Sequence, residues 1–244
     1  MQPTLILTPR YTEDAQALWR AAIALGWDVE RITRWEMPAH VLDVEEPVFY
    51  LEALMAPLLA EQFQRRLLEP PIDWLPKLPE QYRQRSIRLS TLEQARQLDT
   101  AAFIKPPNDK SFPAQVYTGL ELPDGYPNET PVLISEIVQW EKEFRCFILN
   151  RTLKTFSVYL RKGVLQRDNH FAHTPEEEET LLAFVSEILA DKTIDLPQAA
   201  VVDVGVICDR SWAVVEQNAA WGAGIYGCDP TQVLEVLRYA AVSA

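Results

Sequence analysis

Apolar and polar positions in the first part of the chain follow two different periods. Residues 4–8 form an apolar run that predicts a strand, and residues 12–25 repeat apolar side chains at helical spacing. Gly26 favours the end of this helix, and the alternation over residues 27–32 predicts a second strand. A strand, a helix and a strand in this order form a βαβ unit, which is typical of a parallel, Rossmann-like sheet.

A proline-rich segment follows this unit and separates two parts of the chain. Residues 48–51 predict a third strand, and residues 54–68 predict a helix that stops before Pro70 and Pro71. Four prolines then fall within the thirteen residues 69–81, too many for regular structure and typical of a linker. We therefore expect a first domain over residues 1–80.

The second part of the chain changes from βαβ order to runs of neighbouring strands. Such runs are typical of an antiparallel sheet in an α+β domain. The predicted strands cover residues 86–89, 101–105, 133–138, 144–149, 155–160, 201–208 and 212–217. The predicted helices begin at residue 90 or 91 and end at 98, or cover residues 175–189 and 230–242.

Composition and charge narrow the class of protein. Of the 244 residues 48% are hydrophobic, which allows a sizeable core. No stretch reaches the roughly 20 apolar residues of a membrane span, and the start of the chain lacks the regions of a signal peptide, so we expect a cytoplasmic protein without membrane contact. A net charge of −12 argues against a nucleic-acid partner. The three cysteines form no CxxC pair, which argues against a disulfide framework or a zinc site.

Acidic and amide side chains gather near the carboxyl end of the chain. The strands at 201–208 and 212–217 are joined by a short turn, which brings Asp203 and Glu216 near one another across a hairpin. Glu216 and Asn218 lie on one face of their strand by alternation. Two carboxylates and an amide oxygen suit Mg²⁺ that carries phosphate. The alternative is a set of solvated strand-end residues, which is weak for Asp203 because its neighbours are apolar and a buried, unpaired carboxylate is costly.

Two other segments offer groups that suit a nucleotide. Lys105 ends an apolar strand before two prolines, where it can meet a phosphate or extend into water. Glu136 and Val138 can present backbone groups to a purine edge. Glu143 can accept ribose hydroxyls and Arg145 can meet a phosphate or a substrate carboxylate, although the two can equally form a surface ion pair.

Two loops carry weaker signals. Residues 108–112, with Lys110 and Ser111, can form a flap over phosphates, but they lack the glycines of a P-loop. His170 and His173 precede an acidic helix without a carboxylate partner fixed beside them, which favours loop histidines over a catalytic base.

From Ser86 to the carboxyl terminus the sequence resembles an ATP-grasp domain, and the preceding part resembles a pre-ATP-grasp domain. The resemblance is carried by the order of a phosphate lysine, an adenine hinge, a ribose acid, an arginine, a basic strand end, an Asn-His segment and a magnesium set. In chain order these are Lys105, then Glu136, Ile137 and Val138, then Glu143, Arg145, Arg161 or Lys162, Asn169 and His170, and finally Asp203, Glu216 and Asn218.

The resemblance implies both an architecture and an activity. A Rossmann-like domain over residues 1–80 would precede an ATP-grasp domain over 81–244, whose two α+β subdomains, 81–132 and 133–244, clasp ATP. ATP and Mg²⁺ are the implied cofactors. The implied reaction joins a small-molecule or peptide carboxylate to an amine, or to a thiol, through an acyl phosphate, with release of ADP and phosphate. A homodimer is left open.

The chain departs from the pattern of many family ligases at two positions. Val201 stands where they place an arginine that holds the acyl phosphate, so Arg145, Arg161 or Lys162 would replace it. Ala219 follows the metal asparagine where they have a Pro-Gly turn. Both departures concern the acceptor more than ATP. The alternatives are a small-molecule kinase on the same scaffold and an ATP-binding sensor without turnover.

Overall fold

The computed structural model describes residues 2–33 and 37–244, and its amino-terminal part is a parallel sheet of three strands in the order β2-β1-β3. The strands are β1 (Pro3–Leu7), β2 (Asp28–Arg31) and β3 (Glu46–Tyr50). Helix α1 (Glu13–Ala24) crosses between the first two, and its start is capped by the Thr12 hydroxyl, which accepts a hydrogen bond from the Ala15 amide at 3.0 Å. The predicted β-α-β order is present.

The following segment is built from short elements. These are α2 (Ala39–Leu42), α3 (Ala56–Gln62), β4 (Arg65–Leu67), α4 (Trp74–Lys77) and α5 (Glu80–Arg83). The helix predicted over residues 54–68 is therefore too long, because Gln64 turns the chain at φ +53° and the next residues form a strand. The predicted linker holds two single-turn helices instead of an entirely irregular path.

A four-stranded antiparallel sheet in the order β5-β8-β6-β7 comes next. Its elements are β5 (Ile87–Thr91), α6 (Leu92–Arg96), β6 (Ala102–Lys105), β7 (Gln115–Tyr117) and β8 (Pro131–Ser135). Helix α6 covers one face of the sheet, which gives this part of the chain a small apolar core of its own. Strand β8 ends three residues before the predicted limit at residue 138, so the proposed hinge residues follow the strand as a loop.

The second antiparallel sheet has five strands in the order β11-β10-β9-β12-β13. Its elements are β9 (Trp140–Leu149), β10 (Thr152–Arg161), β11 (Val164–Leu165), α7 (Pro175–Ala190), β12 (Ala199–Ile207) and β13 (Trp212–Asn218). The predicted antiparallel α+β architecture of this part is confirmed.

The chain ends with α8 (Pro230–Leu237) and β14 (Ala241–Ser243), where a single helix over residues 230–242 was predicted. Strand β14 pairs with β4 as a separate two-stranded sheet. Helix α8 packs in the same core as the amino-terminal sheet and the back of the five-stranded sheet, represented by Leu5, Phe147 and Leu234. No helix within the described residues is long and apolar enough to cross a membrane.

Candidate active site

A cleft with a cavity of about 310 Å³ lies between the two antiparallel sheets. The carboxyl ends of β6 and β8 meet strands β9, β10 and β13 there, because the loop after β8 leads directly from one sheet into the other. The lining combines apolar side chains with convergent charged groups, which is typical of a ligand site. It includes Arg85, Phe103, Lys105, Leu133, Glu136, Val138, Trp140, Glu143, Tyr159 and Glu216.

The acidic hairpin lies at one end of this cleft. Asp203 and Glu216 are direct register partners across β12 and β13, as their spacing predicts, and a bulge follows the pair. The Asn218 amide nitrogen donates to Asp203 Oδ2 and to Glu216 Oε1, each at 3.1 Å. The three side chains proposed for a metal therefore converge on one point.

Lys105 reaches this acidic set from the other sheet. Its ammonium forms an ion pair with Glu216 Oε2, and both side chains are largely buried, with exposed fractions of 17% and 28%. Burial alone would raise the pKa of Glu216, but the charge and hydrogen bond of Lys105 outweigh it and hold that pKa at about 2. The ion pair therefore joins the two sheets across the cleft.

Arg145 lies beneath the acidic set and not in the lining of the cleft. Register places it opposite Asp203, and its Nε and Nη2 donate to the two carboxylate oxygens at 2.9 and 2.6 Å. Nη1 donates to the Gly224 carbonyl at 2.9 Å, and the guanidinium lies 4.7 Å from the ring centre of Tyr226. Burial disfavours the cation, but the Asp203 carboxylate prevails and raises the pKa of Arg145. Arg145 thus fixes the orientation of Asp203.

Glu143 is a buried carboxyl within the cleft. The Tyr159 hydroxyl donates to its Oε2 at 3.1 Å. Burial raises the pKa of Glu143 to about 7 against the lowering effect of this hydrogen bond, and the nearby Asp203 and Glu216 charges raise it further. The group therefore changes its charge near neutral pH.

The loop that follows β8 provides one wall of the cleft. Glu136 and Val138 line the cavity, whereas the side chain of Ile137 does not line it and is 47% exposed. The Glu136 amide donates to the Ser86 carbonyl at 2.9 Å, and its carboxylate forms an ion pair with Arg210. These contacts fix the loop in place.

The structure does not bring Arg161 and Lys162 together with the other predicted residues. Arg161 donates to both oxygens of Glu177, at 2.7 and 2.9 Å, and this interaction is the main reason that the pKa of Glu177 is lowered to about 2. Glu177 belongs to the capping box of α7, so Arg161 stabilises the start of that helix. Lys162 is an exposed residue at φ +49° in the turn between β10 and β11.

Arg85 is a functional candidate that the sequence reasoning missed. Its guanidinium is buried, donates to the carbonyls of Val214 and Val215 at 2.8 and 3.0 Å, and lies 4.9 Å from the ring centre of Trp140. Burial lowers the pKa of Arg85 to about 10. An arginine among polar residues before a strand carries no sequence signal for burial, so only the fold reveals its place in the cleft.

A second cavity of about 400 Å³ adjoins the first. Residues 105–114, which connect β6 to β7, form most of its wall, and Glu216 and Asn218 complete it. The two cavities share Lys105, Ala114 and Glu216, so the Lys105–Glu216 ion pair stands at their junction.

The donor chemistry of the acidic set fits a hard divalent cation. Within residues 2–33 and 37–244, no group of three or more His, Cys, Asp or Glu side chains is gathered for metal binding. The set instead combines two carboxylates with the Asn218 amide, whose oxygen takes the place of its nitrogen when the amide turns over. Glu216 and Asn218 border the second cavity, while Asp203 is fully buried behind them.

These features match a known family model. Residues 82–236 match the model described as an ATP-grasp domain, family 2 of its clade. The chain belongs to this ATP-grasp family. The predicted family is thereby confirmed, and the match includes every site residue discussed above. No curated protein matches the chain in sequence.

Solved structures show the same fold over nearly the whole length of the chain. D-cycloserine synthetase DcsG superposes with a TM-score of 0.58 at 16% identity, covering 98% of this chain and 99% of that one. D-alanine–D-alanine ligase from Bacillus anthracis gives 0.52 at 12% identity, covering 98% and 97%. An ATP-grasp RimK domain protein from Sphaerobacter thermophilus gives 0.51 at 13% identity, covering 97% and 98%. At these identities the likeness shows the fold alone.

Proposed function

We propose that this protein is an ATP-dependent ligase that joins a carboxylate to an amine, or to a thiol, through an acyl phosphate. The observation that carries the proposal is the Lys105–Glu216 ion pair, which stands between two cavities of about 310 and 400 Å³. A lysine that can exchange a carboxylate for a phosphate, beside carboxylates that suit a cation, is the arrangement that phosphoryl transfer needs. One cavity would hold the nucleotide and the other the acceptor.

In this proposal the larger part of the nucleotide occupies the cleft between the sheets. Backbone groups of residues 136–138 would meet the purine edge, among apolar walls that include Leu133. Glu143 would accept the ribose hydroxyls, while Lys105 and Arg85 would bind phosphate oxygens. Arg145 acts as a positioning residue because both its carboxylate contacts are to Asp203. The contacts of Arg161 and Lys162 give no support to a catalytic role for either residue.

Asp203, Glu216 and Asn218 would hold Mg²⁺. The cation would supply charge neutralisation on the phosphate oxygens. The protein itself positions the reactants and stabilises charge, and it needs no nucleophile of its own. Arg145 and Lys105 keep the two carboxylates ionised in the buried site, since each places a positive charge against one of them.

The bond changes in the proposed reaction are simple. A carboxylate oxygen of the substrate forms a bond to the γ-phosphorus while the bond from that phosphorus to the β–γ bridging oxygen breaks, and ADP leaves with the electron pair. An amine nitrogen, or a thiol sulfur, then attacks the acyl carbon, the bond from that carbon to the phosphate oxygen breaks, and phosphate leaves. The proton of the attacking group passes to solvent.

The amino-terminal sheet would serve the acceptor. We propose that residues 1–80 form a Rossmann-like pre-ATP-grasp domain, followed by subdomains 81–132 and 133–244, and that this first domain supplies one wall of the acceptor site. Its three-stranded parallel sheet with a crossing helix supports the proposal. Solved relatives include a D-alanine–D-alanine ligase and a D-cycloserine synthetase, which favours small or peptide substrates. We place the protein in the cytoplasm, without a nucleic-acid or membrane partner.

The test is a screen of carboxylic acids and amines with magnesium ATP, followed by measurement of ADP, AMP and phosphate. Release of ADP and phosphate that requires both acid and amine is the expected result. Formation of AMP and pyrophosphate would contradict the acyl-phosphate route. A stable phosphorylated acceptor would instead indicate the kinase, and binding of ATP without turnover by any pair would indicate the sensor.

A further inference from the structure

The loop that connects β6 to β7 places one unpaired cation at the second cavity. Residues 105–114 form most of the wall of this cavity, opposite Glu216 and Asn218. Lys110 lies near the middle of the loop, and its side chain is exposed. The loop therefore offers a charged group at the place where the proposed phosphoryl transfer occurs.

The loop is held at both ends, so the position of Lys110 is defined. The Phe112 ring is buried, and its centre lies 6.2 Å from that of Tyr117 and 5.9 Å from that of Tyr126. On the other side, the Asn108 amide nitrogen donates to the Pro70 carbonyl at 2.6 Å. Between these anchors, the Ser111 amide donates to Asp109 Oδ1 at 2.8 Å, which shapes the tip as a tight turn.

Other cations near the two cavities already have partners. The basic residues in the two linings are Arg85, Lys105 and Lys110. Arg85 donates to backbone carbonyls, and Lys105 forms an ion pair with Glu216. Within the part of the chain that the structure describes, Lys110 makes neither a hydrogen bond nor an ion pair. Such a lysine is notable in a chain with 35 acidic and 23 basic side chains.

We infer that Lys110 is a catalytic residue that contacts the γ-phosphoryl group while it passes from ATP to the carboxylate. This inference rests on the proposed function. In the transfer, negative charge is spread over the three outer phosphoryl oxygens as one P–O bond forms and the other breaks. A preorganised cation at that point stabilises the transition state more than the ground state. Lysine suits this role because it is a point charge on a flexible stem.

The experiment compares magnesium ADP alone with magnesium ADP plus aluminium fluoride, which mimics the phosphoryl group in transfer. We expect ADP to raise the melting temperature of wild type, Lys110→Met and Lys110→Arg equally. We expect aluminium fluoride to raise it further in wild type and Lys110→Arg, and by less than half as much in Lys110→Met. Lys192→Met is the matched control, since Lys192 is exposed, unpaired within the described residues and outside both linings.

Each other outcome overturns a defined part of the account. An aluminium fluoride increment in Lys110→Met equal to that of wild type, or the same loss in Lys192→Met, would refute the role of Lys110 and leave the proposed function standing. The same holds if wild type binds ADP but shows no increment. Absence of any response of the wild type to ADP would refute the proposed function and this inference together. In turnover, we expect Lys110→Met to lower kcat by about 100-fold with little change in the KM for ATP.

Discussion

Single side chains in the cleft are set so that their charges match a bound nucleotide. Glu216 is kept ionised by Lys105, whereas Glu143, in the same cleft, has its pKa raised to about 7 by burial. Two carboxyl groups in one site thus differ by about five pKa units, because only one of them faces a cation. Such divergent pKa values are typical of functional sites.

Glu143→Gln tests this difference by the pH dependence of stability. The unfolded chain loses the Glu143 proton near the ordinary pKa of 4.5, and the folded chain keeps it to about pH 7, so wild-type stability falls as pH rises through this window. The variant lacks the effect, which amounts to at most about 3 kcal/mol. We expect the melting temperature of the variant to exceed that of wild type by more at pH 8 than at pH 4.5. An equal difference at both pH values would contradict the raised pKa.

The sequence predicts some of these side chains and not others for a clear physical reason. Asp203 and Glu216 are thirteen residues apart on a local hairpin, so strand alternation is enough to bring them together. The contact of Arg145 with Asp203 depends on the pairing of β9 with β12, which are far apart in sequence. Arg85 is farther still from the β13 carbonyls it binds. Local periodicity carries no information about such long-range register.

Secondary-structure elements show the same division between local and long-range information. The β12–β13 hairpin and the start of α7 are predicted well, because turns and capping residues act within a few positions. Strands β4 and β14 are missed and replaced by helix, although each has only three residues. Neither forms a strand except by pairing with the other. A pairing across most of the chain leaves no mark in either local sequence.

Gly205→Ala tests the packing of β12 against β9. An added Cβ would lie 2.5 Å from the Lys142 carbonyl oxygen and 2.9 Å from the Trp140 ring, closer than real contacts allow. We expect a loss of about 1–3 kcal/mol in the free energy of unfolding, measured with urea. Gly222→Ala is the control, because its Cβ would meet only the Leu51 carbonyl oxygen at an ordinary 3.5 Å. Equal stability of the two variants would show that β12 does not pack as described.

At the scale of the whole molecule, the family match and the stable unit do not coincide. The match begins at residue 82, yet the back of the five-stranded sheet shares one core with the amino-terminal sheet. Phe147, Leu149 and Val201 belong to that core and would be exposed without it. The predicted boundary at residue 80 separates motifs, whereas the packing crosses it.

Expression of residues 81–244 alone tests this view of the whole molecule. We expect the fragment to aggregate or to lose the cooperative unfolding transition of the full chain, because a large apolar face is uncovered. Size-exclusion chromatography and near-ultraviolet circular dichroism report on these properties. A monomeric fragment that unfolds as cooperatively as the full chain would establish an independent domain and contradict the shared core.

The most direct measurement of the central claim is the thermal stability of wild type and Glu216→Ala with millimolar ATP, with and without magnesium. We expect magnesium ATP to stabilise wild type by about 2.7 kcal/mol at 100 times Kd, and the magnesium-dependent part of the shift to be lost in the variant. A wild-type melting temperature that magnesium ATP leaves unchanged would contradict nucleotide binding in the cleft. A variant that keeps the full magnesium-dependent shift would remove Glu216 from the site.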